Sequence, residues 1–189
     1  MRKSIAIDID GVIADSLPAL LEELNAYFGH NLTADDVTTY DICRVYGINK
    51  NQLAQFLADK ERLLIGKPAP VSGAKEYAAK LRKLAKVILI TARSEKYRQD
   101  TESWLKKHGI VYDELIMLGH RGKIQTCREQ DAAAIVEDNP DTAREAAEAG
   151  IPVVLVDAPY NRNVEHPLIR RAATWPEIYE AVIRALRAL

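Results

Sequence analysis

Five short runs of apolar residues recur along the chain, each bounded by polar or turn-forming residues. They are rich in β-branched side chains and have the length of strands rather than of helices. Because they are continuously apolar, they predict strands buried on both faces of a parallel sheet. The runs cover residues 4–9, 87–91, 115–118, 133–137 and 152–156.

Helical spacing of apolar residues separates the later strands. Tyr77, Leu81 and Leu84 share one face of a predicted helix. Residues 97–108 predict a second helix, and residues 139–150 contain a third, with proline near its start and glycine at its end. Alternating strands and helices of this kind are typical of right-handed βαβ units. The sequence therefore predicts an α/β fold with a doubly wound parallel sheet.

The connection between the first two predicted strands is much longer than a single crossover helix requires. Within it, residues 17–28 and 52–64 have helical patterns, and the Pro-Ala-Pro stretch at 68–70 forms a stiff exit. We therefore predict a small, mainly helical cap inserted into a core domain. The cap would span residues 16–72, and the core would consist of residues 1–15 and 73–189.

Composition excludes several classes of partner. The 189 residues contain 26 Lys and Arg against 27 Asp and Glu, so no global basic field attracts a nucleic acid polymer or an anionic membrane. No apolar run approaches the ~20 residues that span a bilayer. Cys43 and Cys127 lie far apart and have no metal-ligand spacing, which favours a reducing compartment. We expect a cytoplasmic protein.

Polar residues that could carry chemistry follow four of the predicted strands. In open α/β sheets ligands bind beyond the carboxyl ends of the strands, so these side chains are expected to converge. Close carboxylates repel one another unless a cation offsets their charge, and Mg²⁺ prefers oxygen ligands. Asp8, the backbone carbonyl of Asp10 and Asp138 are the natural metal ligands. The converging set is Asp8, Asp10, Thr91, Lys123, Glu137 and Asp138, with Asp141 following.

These residues occur in motifs that resemble those of the haloacid dehalogenase superfamily. The motifs are D-I-D-G-V at residues 8–12, the apolar run into Thr91, Lys123, and E-D-N-P-D at residues 137–141, in that family's order. The position of the insert resembles the superfamily's C1-type helical cap. More narrowly, I-T-A-R at 90–93 and A-P-Y-N-R at 158–162 resemble the 5'(3')-deoxyribonucleotidases and their bacterial nucleotidase relatives.

The resemblance implies a Mg²⁺-dependent phosphatase that works through an aspartyl-phosphate. Asp8 would attack phosphorus, and Asp10 would protonate the leaving alcohol and then activate water. Thr91 would bind a phosphoryl oxygen together with Ala92 and Arg93 of the same loop, and Lys123 would neutralise charge. A dehalogenase does not need an acid at the position of Asp10, so this residue favours phosphoryl chemistry.

Several roles remain open at the level of sequence. Arg121 is a rival to Lys123 as the cation near Asp8. Glu137 either orients Lys123 or merely ends its strand, and Asp141 could be only a first-turn helix acid. Arg93 either binds a substrate phosphate or caps the following helix.

The cap offers two aromatic candidates for the substrate site. Tyr40 and Tyr46 could stack on a nucleobase, or they could pack within a helical core.

The leading functional hypothesis is a nucleotidase acting on 5'- or 3'-(deoxy)nucleoside monophosphates. A phosphatase for a sugar phosphate or another small metabolite would differ only in its cap. A receiver-like signalling domain also assembles acids, Thr and Lys around Mg²⁺, but it has no use for a leaving-group acid or a lid. A catalytically silent binding protein is disfavoured because every motif is present. The sequence leaves the oligomeric state open, a homodimer included.

Overall fold

A computed structural model describes residues 2–119 and 121–188. In this part of the chain, six strands form one parallel sheet in the order β5-β4-β1-β6-β7-β8. A separate antiparallel pair, β2 with β3, lies at the root of the insert. The strands are β1 Ser4–Ile7, β2 Ala14–Asp15, β3 Ala69–Pro70, β4 Lys86–Thr91, β5 Glu114–Met117, β6 Ala132–Glu137, β7 Val153–Val156 and β8 Ile169–Ala172.

Helices cover both faces of the sheet, which confirms the predicted doubly wound α/β fold. Alternate residues of β4 belong to opposite hydrophobic clusters: Val87 and Leu89 to one, Ile88 and Ile90 to the other. Helices α4, α5 and α8 bury their apolar faces in the first cluster, and α6 and α7 in the second. The helices are α1 Ser16–Phe28, α2 Ile42–Tyr46, α3 Lys50–Gly66, α4 Ala74–Leu84, α5 Arg98–Lys107, α6 Lys123–Glu129, α7 Pro140–Glu148 and α8 Trp175–Arg187.

Helices α1, α2 and α3 build a third hydrophobic cluster of their own, centred on Leu24 and Phe56. The chain enters and leaves this region through the two short strands β2 and β3. Trp104 of α5 donates its indole N–H to the carbonyl of Pro68 at 2.9 Å. This contact fixes the stiff exit segment against the sheet-forming part of the molecule.

The five predicted strands are present, and the structure adds elements that the pattern analysis does not assign. β8 carries two arginines at the sheet edge, so its apolar pattern is interrupted. Helices α2 and α6 have five and seven residues, too few to display a period. None of the described helices combines the length and the apolar character needed to cross a bilayer.

The strand order determines where the site forms. β1 lies between β4 and β6, and the chain runs to one side of β1 for β4 and β5 before it returns to the other side for β6. A reversal of this kind leaves a crevice beyond the carboxyl ends of the strands. Asp8, Thr91 and Glu137 lie at the ends of these three strands.

Candidate active site

Asp8 follows β1 directly and is buried, with its backbone N–H donated to the carbonyl of Val136 at 3.0 Å. Lys123, the first residue of α6, places its ammonium nitrogen 2.8 Å from Oδ1 of Asp8. The same nitrogen lies 2.8 Å from Oε2 of Glu137, which is fully buried. Lys123 rather than Arg121 is therefore the cation beside Asp8, and Glu137 holds it in place.

Three buried carboxylates meet at this point. One oxygen each from Asp8, Glu137 and Asp138 lies within 4.8 Å of the other two. Burial raises the pKa of Asp8 to about 7 despite the neighbouring Lys123, and burial together with the charge of Glu137 raises the pKa of Asp138. The ammonium group of Lys123 alone therefore does not balance the negative charge that the three carboxylates carry when ionised.

The donor set suits a hard divalent cation. Carboxylate oxygens are the ligands that Mg²⁺ prefers. Oδ1 of Asp8 is buried, and its charged neighbour is the Lys123 ammonium nitrogen at 2.8 Å. Three carboxylates that offer oxygens within 4.8 Å of one another, with a single ammonium group beside two of them, fit the ligands of a metal ion.

Gly11 allows the loop after β1 to approach Asp138. Its φ of +76° is unfavourable for residues with a side chain. A Cβ at this position would lie 2.2 Å from Oδ2 of Asp138, well inside contact distance. The glycine after the paired acids is thus required by the close approach of the first and fourth motif loops.

Asp10 lies in a different environment from Asp8. Its carboxylate accepts two hydrogen bonds of 2.8 Å from the Arg93 guanidinium and one of 2.6 Å from the Ser16 hydroxyl. Burial alone would raise the pKa of Asp10, but the Arg93 charge and hydrogen bonds lower it below the ordinary value. The Asp10 carboxylate is outside the cluster of Asp8, Glu137 and Asp138 that the described residues form.

A cavity of about 550 Å³ opens above these groups. Its floor includes the predicted phosphate-binding loop, in which the buried Thr91 hydroxyl accepts the Arg93 backbone N–H at 3.2 Å. Helices α1 and α3 supply its apolar wall. The floor contains Asp8, Asp10, Thr91, Ala92, Arg93 and Lys123, and the wall contains Leu20, Leu57, Leu64 and Ile65.

The two cap tyrosines have different positions. Tyr40 lines this cavity and an adjoining one of about 350 Å³. Tyr46 is buried in the hydrophobic cluster of the insert, where its hydroxyl donates to Oδ1 of Asn25 at 2.9 Å. The structure brings Tyr40, but not Tyr46, to the cavities. Asp141 is exposed and pairs with Arg144 at 3.0 Å, away from the cluster.

Reasoning from individual residues does not identify three of the groups at the site. Ser16 contacts Asp10, and both Tyr160 and Asn161 contact Asp138. The last two belong to the A-P-Y-N-R stretch, which carries a resemblance but no role in the sequence analysis. That stretch is the signal that could have located them.

Comparison with known proteins finds a family and relatives that match nearly the whole chain. The family model described as "5' nucleotidase, deoxy (Pyrimidine), cytosolic type C protein" matches residues 2–188. A nucleotidase of Clostridium acetobutylicum is 32% identical over 181 residues, covering 96% of this chain and 94% of its own. The 5'(3')-deoxyribonucleotidase of Bacillus subtilis is 28% identical over 183 residues, covering 94% of this chain and 97% of its own.

Solved structures share the fold at low sequence identity. A haloacid dehalogenase-like hydrolase of Streptococcus pneumoniae aligns with a TM-score of 0.70 and 14% identity, over 95% of this chain and 97% of that one. A hydrolase of the same superfamily from Geobacter sulfurreducens aligns with a TM-score of 0.61 and 19% identity, over 96% of both chains. The predicted resemblance to the 5'(3')-deoxyribonucleotidases and their bacterial nucleotidase relatives is confirmed, as is the prediction of a phosphoric monoester hydrolase. The chain belongs to the cytosolic type C 5'-nucleotidase family.

Proposed function

We propose that this protein is a Mg²⁺-dependent nucleotidase that hydrolyses 5'- or 3'-(deoxy)nucleoside monophosphates through a phosphorylated Asp8. In this proposal residues 1–15 and 73–189 form the catalytic core, and residues 16–72 form the cap that covers the substrate. The two free cysteines, Cys43 and Cys127, support a location in the reducing cytoplasm.

The observation that carries the proposal is that two acids only two residues apart have different surroundings. Asp8 is buried beside Lys123 at the floor of the cavity, whereas Asp10 is held by Arg93 and Ser16. A nucleophile and a separate proton donor are the two functions that phosphomonoester hydrolysis through a covalent intermediate requires.

In the first step, an oxygen of Asp8 attacks phosphorus and the bond to the leaving alcohol breaks. Lys123 and the Thr91 hydroxyl stabilise negative charge on the phosphoryl oxygens. Mg²⁺, held by Asp8, the Asp10 carbonyl and Asp138, would supply further charge neutralisation. In the second step, water attacks the phosphorus of phospho-Asp8, which releases phosphate and restores the carboxylate.

Asp10 handles the protons of both steps. It donates a proton to the leaving oxygen and later removes one from the attacking water. Arg93 keeps its carboxylate ionised in the substrate-free protein. A substrate phosphate that enters beside Arg93 brings like charge close to Asp10, which raises the pKa of Asp10 and favours the acid form.

The cap supplies the surface for the leaving nucleoside. Leu57 of the cap lines the cavity and is 36% exposed, so its side chain is accessible to a ligand there. Tyr40 lies beside the same space and could stack on a base. An apolar and aromatic wall suits a nucleobase better than a small sugar phosphate.

The test is a panel of phosphomonoesters assayed with purified protein in Mg²⁺ and in excess chelator. We expect the highest kcat/KM with nucleoside monophosphates and no turnover in chelator. A preference for sugar phosphates would replace the nucleotidase assignment by that of a metabolite phosphatase. Acid quenching during turnover should trap phosphate on Asp8, and a phosphoenzyme that persists for minutes would favour a receiver-like role.

A further inference from the structure

The loop of residues 158–162, A-P-Y-N-R, follows β7 and has no role in the mechanism above. It lies against the fourth motif, and two of its side chains contact one residue there. The Tyr160 hydroxyl donates to Oδ2 of Asp138. Nδ2 of Asn161 donates to the backbone carbonyl of Asp138 at 2.8 Å. Both the side chain and the backbone of Asp138 are therefore held by this loop.

Asn161 is itself firmly fixed. It is fully buried, and its Nδ2 also donates to the carbonyl of Val156 at 2.8 Å. Its Oδ1 accepts the Ala158 backbone N–H at 3.2 Å and an Arg171 guanidinium N–H at 2.7 Å. With both ends of its amide satisfied, Asn161 has a single orientation from which to hold Asp138.

Tyr160 is fixed from the opposite side. Its ring packs against the hydrophobic cluster of the insert and meets the Tyr40 ring edge to face, with 5.4 Å between the centroids. The hydroxyl therefore reaches Asp138 from a ring that the cap supports. Tyr160 thus connects the cap to the cluster of buried carboxylates.

Asp138 depends on these contacts more than its neighbours do. Asp8 and Glu137 each pair with Lys123, whereas the ion pairs of the described residues include none for Asp138. The Tyr160 hydroxyl donates to Oδ2, and no hydrogen bond from the described residues reaches Oδ1. Groups that orient a metal ligand in this way strongly affect metal affinity.

We propose that Tyr160 and Asn161 are positioning residues that orient Asp138 for the divalent cation. This inference rests on the metal site of the proposed function. It assigns a physical role to the A-P-Y-N-R stretch: the tyrosine hydroxyl sets the carboxylate, and the asparagine amide sets the backbone that carries it.

The test measures cation binding directly, without substrate. Mn²⁺ serves as the probe, and the electron paramagnetic resonance signal of free Mn²⁺ gives the affinity of the full-length protein. Tyr160→Phe keeps the ring and removes only the hydroxyl, and we expect Mn²⁺ binding to weaken about tenfold. The matched control is Tyr27→Phe, which removes another tyrosine–aspartate hydrogen bond, 2.9 Å long and at the cap surface. Its Mn²⁺ affinity should equal that of the wild type.

The outcomes separate this inference from the function on which it rests. Equal or tighter Mn²⁺ binding by Tyr160→Phe, in a protein that unfolds at the wild-type temperature, would overturn the inference and leave the nucleotidase proposal intact. Failure of the wild-type protein to bind Mn²⁺ or Mg²⁺ would overturn both. Weaker binding in Tyr160→Phe alone, with kcat recovered at high Mg²⁺, supports the positioning role.

Discussion

Asp8 and Asp10 show how two identical side chains acquire different chemistry from their neighbours. Asp8 is buried among other carboxylates, which raises its pKa to about 7, and Lys123 opposes that shift only in part. Asp10 is also removed from water, yet Arg93 lowers its pKa. Environments that push the pKa values of two neighbouring acids apart in this way are typical of active sites that give the two acids different roles.

Replacing the nucleophile tests the covalent mechanism. Asp8→Asn keeps the size of the side chain but removes the attacking oxygen, so we expect turnover of nucleoside monophosphates to fall by at least roughly 10³-fold. Asp141→Asn is the matched control, because Asp141 is exposed and belongs to the fourth motif without touching the cluster. Steady-state rates of the two variants give the comparison. A wild-type rate in Asp8→Asn would exclude a phospho-Asp8 intermediate.

The Arg93–Asp10 contact predicts a dependence on the leaving group. Without Arg93, Asp10 loses its orientation, so Arg93→Ala should slow nucleoside monophosphates by roughly 10²-fold. p-Nitrophenyl phosphate should lose much less, because its leaving group departs without a proton. Assays of both substrates, with the surface variant Arg144→Ala as control, measure the difference. Equal losses on both, accompanied by a higher KM, would instead make Arg93 a ligand of the substrate phosphate.

At the scale of elements, α3 offers two leucines that separate substrate contact from helix stability. Leu57 lines the cavity, whereas Leu63 on the same helix is 45% exposed and does not. Leu57→Ala removes apolar surface that the leaving nucleoside would contact in the proposed function, so KM should rise about fivefold with little change in kcat. Leu63→Ala should leave both constants unchanged. If Leu57→Ala has no effect on KM, the nucleoside does not bind against α3.

The sequence predicts much of the site because the fold places strand ends together. Once β1, β4 and β6 are recognised, the parallel sheet brings Asp8, Thr91 and Glu137 to one edge without any knowledge of side-chain conformation. The role of Gly11 is partly predictable, since a glycine directly after paired acids indicates that the backbone there passes close to another group. What it approaches, Asp138, emerges only from the packing of two loops.

The remaining contacts depend on side-chain direction and on distant pairing. Arg93 and Asp10 are separated by 83 positions, and either could have faced the substrate instead. Tyr46 and Tyr40 are both tyrosines of the predicted cap, and the sequence does not distinguish them. Only the packing of the cap shows that Tyr46 is buried beside Asn25. Helix α8 is different, because its apolar spacing, with Trp175, Ile178 and Val182 on the buried face, is visible in the sequence alone.

At the scale of the whole molecule, the carboxylate cluster links cation binding to folding. The metal-free protein retains a proton on Asp8 up to about pH 7, whereas the unfolded chain loses it near 3.8. Between these values Asp8 holds its proton in the folded state and not in the unfolded one, so its contribution to the free energy of unfolding falls as pH rises. Asp138, whose pKa is also raised, acts in the same direction.

Mg²⁺ should reverse this loss of stability. Because the cation needs ionised carboxylates, it must displace the retained proton at low pH and meets no such competition above pH 7. The rise in unfolding temperature caused by Mg²⁺ should therefore be small near about pH 6 and clearly larger near about pH 8. The unfolding temperature is measured at each pH once in excess chelator and once in excess Mg²⁺. The difference between the two temperatures cancels the effect of groups that titrate elsewhere in the chain. In Asp8→Asn, the rise in unfolding temperature caused by Mg²⁺ should depend less on pH. An equal rise at both pH values in the wild type would show that the cation does not compete with protons for this cluster.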